Sequence, residues 1–289
     1  MSSYRGRFAP SPTGELHFGS LFAAVVSYLD ARKNNGSWHI RIEDIDPQRE
    51  ISGASNKIIT SLKIHGFIWD DQPIYQSSRT ALYNDSLSTL HSQKSCYCCP
   101  CSRQQLIKNA GTHCHECQTQ NIKNMACATK FKTTNNSYEW LDKFQGRLTQ
   151  TLNSDFVLKR KEGYFAYQLA VVCDDIDQKI THVVRGTDLL DSTPMQLALY
   201  QALNETPPQF CHFPLLLNKQ GQKLSKQNLS PGIKNQNALT NILQIFDVLG
   251  LVLKCEPKSA GEALSMGIPL WDKRLLPKEN VTNHLIYNT

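Results

Sequence analysis

The sequence predicts an α/β fold in which two βα halves of one nucleotide-binding-type domain are split by an insertion. Three observations lead there. Within the first 45 residues a strand, a helix and a second strand follow in order, the βαβ unit from which parallel, doubly wound sheets are built. Strand and helix signals of the same kind resume at about residue 155. Between them, 96–150 changes composition, rich in cysteine and then polar with little period.

The elements follow from the residues in turn. Residues 4–8 (YRGRF) form a strand that runs into APSPTG, a turn punctuated by Pro and Gly. From Gly19 to Lys33, Leu21, Phe22, Ala24, Val25, Val26, Tyr28 and Leu29 are apolar on nearly every side. A helix of that kind packs on a sheet, and Asn35-Gly36 is a fitting stop. WHIRI (38–42) alternates as the second strand. Helices are expected over 51–65, where Ile51, Ala54, Ile58, Ile59 and Leu62 recur at helical spacing, and over 79–93. Beyond the insertion FVLKR, YFAYQLAVVCDD and ITHVVRG all read as β, and a helix near 188–203 and a strand at 213–217 complete the second half. Residues 218–235 are loop by composition, and Leu239, Ile242, Leu243, Ile245, Phe246 and Leu249 mark one helix in the tail. Four segments result: a first half at 1–95, the insertion at 96–150, the second half at 151–235 and a short helical tail at 236–289.

Bulk properties set outer bounds. With 40% hydrophobic and 19% charged residues the chain is globular in composition. Its 31 Lys+Arg against 25 Asp+Glu leave +6, an excess too mild to imply a nucleic-acid partner unaided. The amino terminus lacks the apolar core of a secretory signal, and no stretch approaches the roughly 20 apolar residues that span a bilayer. A cytoplasmic chain with reduced cysteines and no membrane partner is expected. Seven of the ten cysteines, Cys96, Cys98, Cys99, Cys101, Cys114, Cys117 and Cys127, fall within 32 residues. In a reducing compartment such a cluster reads as a metal site. Spacing alone offers Cys98-x-x-Cys101 with Cys114-x-x-Cys117, a zinc-ribbon-like set of four thiolates. Cys173 and Cys211 lie in strand-like runs and are expected in the core.

Two short segments carry the chemistry. P-S-P-T-G-E-L-H-F-G-S (10–20) joins the first strand to the first helix. Small residues there let backbone approach a ligand, and the helix amino terminus aims free N–H groups and a positive dipole end at it. His17 adds a donor for a phosphate. About 200 residues on, Lys223-Leu224-Ser225-Lys226 lies in a loop where two lysines can close over a triphosphate and neutralise charge as pyrophosphate leaves. Taken singly, each segment is more often a polar, solvated loop than a functional one; their order and setting argue for a pair.

That pair resembles the HIGH and KMSKS signatures of class I aminoacyl-tRNA synthetases, as H-F-G-S (His17 and Gly19 within it) and K-L-S-K (Lys223, Ser225, Lys226). R-F-A-P-S-P-T-G-x-L-H-x-G followed by R-I-E-D-I-D is similar to the glutamyl subgroup, and the likeness runs from Tyr4 to Gln227. Within it the chain most resembles the short glutamyl-queuosine tRNA(Asp) synthetase branch. The resemblance implies a Rossmann-like catalytic domain with an inserted zinc-containing subdomain of acceptor-binding type. It implies a ligase that takes ATP with Mg²⁺, L-glutamate and a tRNA, joining glutamate to the queuosine base of tRNA(Asp). The tail of 236–289 is too short for an anticodon-binding domain, and a monomer is expected.

A pocket for free glutamate needs two cations for its carboxylates and an anion for its ammonium, and Arg suits carboxylates through bidentate pairing. The resemblance implies that Arg7, Ala9 and Ser11 contact the amino acid, that Glu43 takes the ammonium, and that Tyr167 and Arg185 complete the pocket. It assigns ATP to His17 and Lys226. Without it, Arg7 and Glu43 would read as an ordinary surface ion pair. The family's zinc pattern selects Cys99, Cys101, position 113 and Cys117; position 113 is His113 here, where a tyrosine is usual. Histidine is the better zinc ligand of the two.

The implied chemistry has two steps: glutamate attacks the α-phosphate of ATP to give glutamyl-adenylate and pyrophosphate, then the glutamyl group passes to a nucleic-acid hydroxyl. Two rivals remain: a shortened conventional synthetase that charges a tRNA 3′ end, and a non-catalytic paralogue that binds adenylate or RNA.

Overall fold

The computed structural model describes residues 3–108, 117, 127–218, 220–222, 224 and 232–282. A parallel five-stranded sheet forms its centre. The strand β1 (Arg5–Phe8) leads into α1 (Phe18–Lys33) and β2 (Ser37–Ile42), then α2 (Ala54–Ile64), the short β3 (Ile74–Tyr75) and α3 (Thr80–Ser92). The insertion carries β4 (Cys96–Cys99), α4 (Arg103–Lys108), β5 (Ala128–Phe131), β6 (Ser137–Asp142), β7 (Gly146–Thr151) and β8 (Phe156–Lys159). The chain returns through α5 (Tyr167–Asp177), β9 (His182–Gly186), α6 (Thr193–Ala202), β10 (Gln209–Phe213) and β11 (Leu216–Leu217). It ends with α7 (Ala238–Val248), α8 (Ala260–Gly267) and β12 (Val281–Thr282).

The central order is β10-β9-β1-β2-β3, so the first half grows to one side of β1 and the second half to the other. Such a reversal of direction is a topological switch point, outside whose carboxyl strand ends α/β sheets bind ligands. The all-round apolar pattern of α1 has its expected consequence: Leu21, Ala24, Val25, Val26 and Leu29 are wholly excluded from water. The insertion forms an antiparallel sheet β4-β5-β8 and a separate β6-β7 hairpin. That hairpin docks on the second half, where Trp140 packs with Ile180, Val183 and Phe210.

Several expectations need correction. YFAYQLAVVCDD is not a strand; its residues from Tyr167 form α5. An unbroken apolar run has no period to tell a buried helix from a buried strand, and Leu169 through Asp175 are all buried. Cys173 is therefore a helical core residue, while Cys211 is the strand core residue expected. FVLKR does form a strand, but β8 pairs with β5 of the insertion and not with the central sheet. The last central strand ends at Phe213, before Pro214; proline has no N–H to continue a ladder. Leu216–Leu217 instead pairs with β12 of the tail. The tail also holds α8, an element not expected from the sequence although Ser259 and Glu262 have capping-box spacing: Ser259 Oγ accepts from Glu262 N at 3.2 Å.

Candidate active site

One cavity of about 590 Å³ opens at the switch point. Arg7, Ala9, Ser11, Glu43, Tyr167 and Arg185 all line it, together with His17 and Gly19. The fold explains the convergence. Residues 9–11 continue β1, Glu43 follows β2, Arg185 is near the end of β9, and Glu43 N donates to Pro10 O at 3.0 Å, tying the first two ends together. Tyr167 opens α5 and lines the same cavity.

Arg7 and Glu43 do not form a surface pair. Arg7 is buried and donates through Nε to Asp175 Oδ1 at 3.1 Å. Asp175 also accepts from Arg41 Nη2 at 2.7 Å. Burial alone would raise the Asp175 carboxyl, but Arg41 and Arg7 outweigh it and hold it below its ordinary value. Asp174, next on the same helix, is fully buried and accepts from Gln76, Arg79 and Tyr83. Glu43 faces the cavity with its Oε1 buried and without a hydrogen bond among the described residues. Burial pushes its carboxyl from 4.5 up to about 7, against the pull of Arg41 and Arg7.

Arg185 is held from three sides. Its Nε donates to His212 Nε2 at 2.9 Å, and its Nη2 to Thr193 Oγ1 at 3.0 Å and Leu189 O at 3.3 Å. Burial keeps the guanidinium below the usual arginine range. Its Nη1 is buried and has no protein partner among the described residues. Gln76 Oε1 is left in the same way on the cavity wall, and the buried Tyr200 hydroxyl is likewise without a hydrogen bond among the described residues. The Gln76 amide has only one sensible orientation, since Nε2 must donate to the Asp174 carboxylate at 2.6 Å. Gln76, Asp142, Asp175, Tyr200 and His212 are not marked by any short-range pattern, and the contacts that matter span up to 168 residues. Arg41 opens the R-I-E-D-I-D stretch, but its place beside Asp175 is visible only in the fold.

The phosphate-handling segments also meet. His17 caps α1, its Nδ1 accepting from Ser20 N at 3.2 Å and its Nε2 bonding Ser20 Oγ at 2.9 Å. A Cβ at Gly19 would lie 2.9 Å from the carbonyl oxygen of Leu224, closer than real Cβ contacts come, so glycine permits this approach. Leu224 is buried, bonds Leu216 O through its N–H at 2.9 Å, and lines the cavity. Lys223, Ser225 and Lys226 lie outside the described residues.

In the insertion, Cys99, Cys101 and Cys117 hold their sulfurs within 4.8 Å of one another. Three soft thiolate donors so placed suit zinc. His113 and Cys114 lie outside the described residues. Cys98 is not available as a ligand, and the expectation of fully reduced cysteines fails there: it is disulfide-bonded to Cys127, with the Cα atoms 5.7 Å apart beside the β4–β5 ladder. That is within the span a disulfide can bridge. The set drawn from spacing alone, Cys98 with Cys101, Cys114 and Cys117, therefore does not stand. Among the described residues no helix is long and apolar enough to cross a membrane.

A family model described as tRNA synthetases class I (E and Q), catalytic domain, matches residues 3–241. The chain belongs to that family and is an enzyme of the ligase class. It is 44% identical over 291 residues to a protein of Colwellia psychrerythraea named glutamyl-Q tRNA(Asp) synthetase, covering 95% of this chain and 92% of the relative. A protein of the same name from Neisseria meningitidis serogroup B is 42% identical over 96% of this chain and 99% of its own length. The fold is that of a glutamate tRNA ligase from Elizabethkingia meningosepticum solved in complex with its amino acid. The TM-score is 0.80 at 24% identity, over 97% of this chain and 67% of that one.

Proposed function

We propose that this protein activates glutamate with ATP and transfers it to the queuosine base of tRNA(Asp). The observation that carries the proposal is the single cavity that gathers Arg7, Glu43, Tyr167 and Arg185 with the amino terminus of α1. The relatives named glutamyl-Q tRNA(Asp) synthetase, matched over nearly their whole length, support the acceptor.

In this reading the buried Nη1 of Arg185 takes one glutamate carboxylate and Arg7 the other, with Ala9 and Ser11 beside them. Glu43 takes the ammonium, and Tyr167 closes the wall. Glutamate then attacks the α-phosphate of ATP in line, and pyrophosphate leaves. No covalent nucleophile is needed from the protein: catalysis is positioning plus stabilisation of developing charge. The amino terminus of α1, whose first turn His17 caps through Ser20, stabilises part of that charge and Lys223 and Lys226 the rest, with Mg²⁺ accompanying ATP. Zinc would be held by Cys99, Cys101 and Cys117 with His113 and would order the insertion, a structural role. The segments 1–95 and 151–235 form the catalytic domain in this proposal, 96–150 the acceptor-binding insertion and 236–289 the tail, working as a monomer.

The test is ATP-dependent transfer of radiolabelled glutamate to tRNA(Asp) with and without queuosine, comparing intact acceptor with acceptor oxidised beforehand by periodate. Label confined to queuosine-containing tRNA(Asp), mapping to the anticodon fragment, is expected. Label at the 3′ end of a glutamate tRNA would make this a shortened conventional synthetase, and no label would remove the acceptor assignment.

A further inference from the structure

We infer that Asp142 and His212 are positioning residues for glutamate binding: Asp142, on the inserted hairpin, fixes the tautomer of His212, and His212 aims Arg185 into the pocket. The inference rests on the reading of Arg185 as a glutamate ligand and adds two residues to it.

Asp142 ends β6 and His212 lies in β10, both fully buried. His212 Nδ1 and Asp142 Oδ2 are 2.6 Å apart. Burial would raise the Asp142 carboxyl, but hydrogen bonds from His212, Gln145 N and Phe144 N outweigh it and hold the group below its ordinary value. An ionised carboxylate can only accept, so the imidazole proton sits on Nδ1. Nε2 is then a bare lone pair, and it faces the Nε–H of Arg185 at 2.9 Å.

With Nε given to His212 and both Nη2 hydrogens to Thr193 and Leu189, three of the five guanidinium N–H groups are fixed. The remaining two, on Nη1, are buried and unpaired among the described residues. Arg185 lines the cavity. A carboxylate arriving there meets a guanidinium already locked in one orientation, so little ordering cost falls on binding.

The second oxygen makes the arrangement testable. Asp142 Oδ1 accepts three backbone N–H groups: Phe144 at 2.9 Å, Gln145 at 2.9 Å and His212 at 3.2 Å. In Asp142→Asn the amide oxygen must stay on those three donors, which turns the NH₂ toward His212 Nδ1. The ring must then accept at Nδ1 and carry its proton on Nε2, against the Nε–H of Arg185. An isosteric change in the insertion thereby misdirects an arginine of the catalytic half. The same logic governs the Asp–His pair of serine proteases, where the amide imposes the wrong tautomer.

His212→Gln should uncouple the system, because a glutamine Oε1 near the Nε2 position accepts from Arg185 without help from Asp142. The experiment is glutamate binding by titration calorimetry and glutamate-dependent ATP–pyrophosphate exchange, on wild type, D142N, H212Q and the double variant, each checked for an intact thermal transition. We expect D142N to weaken glutamate binding by about tenfold to a hundredfold, by analogy with the loss seen when a metal-ligating histidine is deprived of its orienting partner, with KM for ATP unchanged. In the H212Q background the same substitution should change glutamate affinity less than about twofold, within the usual additivity error for independent sites. Equal penalties in both backgrounds, or a D142N variant that binds glutamate as wild type does, would overturn the inference. A D142N that fails to fold while the double variant folds and binds supports it. Wild type that binds no glutamate would overturn the functional reading itself.

Discussion

The Glu43 carboxyl titrates near pH 7, and the cause is local: burial raises it more than Arg41 and Arg7 lower it. If it receives the substrate ammonium it must be ionised to do so. The sign then follows. Below about pH 7 the group is protonated, the ammonium loses its counter-charge, and KM for glutamate rises by up to about tenfold per unit of pH, since one unit is worth about 1.4 kcal/mol. Above pH 7 it is level. Exchange kinetics from pH 5.5 upward should show this, and Glu43→Gln should raise KM at pH 8 and flatten the profile. A wild-type KM level down to pH 6 would exclude Glu43 as the ammonium site. That Arg7, Glu43, Tyr167 and Arg185 meet in one cavity was anticipated through the family resemblance, which maps onto the stretches that hold them. Asp175 and Asp142 were not, because only the tertiary fold brings them to their arginine and histidine.

Among the elements, α5 shows best where sequence reading runs out. Its last turns carry Asp174 and Asp175, which the negative carboxyl end of a helix disfavours. Arg7, Arg41 and Arg79 from three other elements compensate, and no local pattern contains that information. The reverse holds for α1, whose capping His17 and glycine are visible in the sequence and whose purpose appears only where Leu224 arrives. Gly19→Ala adds a methyl 2.9 Å from the Leu224 carbonyl oxygen. Alanine is better than glycine in a helix by about 1 kcal/mol, so α1 itself should not suffer and the thermal midpoint should hold. The Leu224 carbonyl is what must move, and the His17 ring, 3.2 Å from the new methyl, must give by a few tenths of an ångström. A displacement near 1 Å is enough to cost about a hundredfold in a positioned reaction. The expected result is exchange activity reduced about tenfold to a hundredfold with glutamate affinity nearly unchanged. Full activity in this variant would show that the loop need not approach α1 for catalysis.

At the scale of the molecule, the tail is continuous with the catalytic core. Leu251, Leu264, Trp271 and Leu276 are buried in the same apolar cluster as α1 and β2. Trp271 Nε1 donates to Asp30 Oδ1 at 3.0 Å, while Tyr4 OH holds the other oxygen at 2.6 Å. Asp30 itself is buried, and Lys273 approaches it at 3.4 Å. Composition made this segment look like an appendage because its apolar residues are scattered over short elements with little period. Burial of such a side chain contributes about 1.5–3 kcal/mol. Four of them therefore contribute about as much as the 5–15 kcal/mol by which whole domains are stable. Removing the tail also leaves the Asp30 charge buried without two of its partners, a further penalty. A chain ended after Gly250 should therefore lose its cooperative thermal transition and its glutamate-dependent exchange together. If that shortened chain instead melted as wild type does and retained exchange, the tail would be a dispensable addition and the core would close at α7.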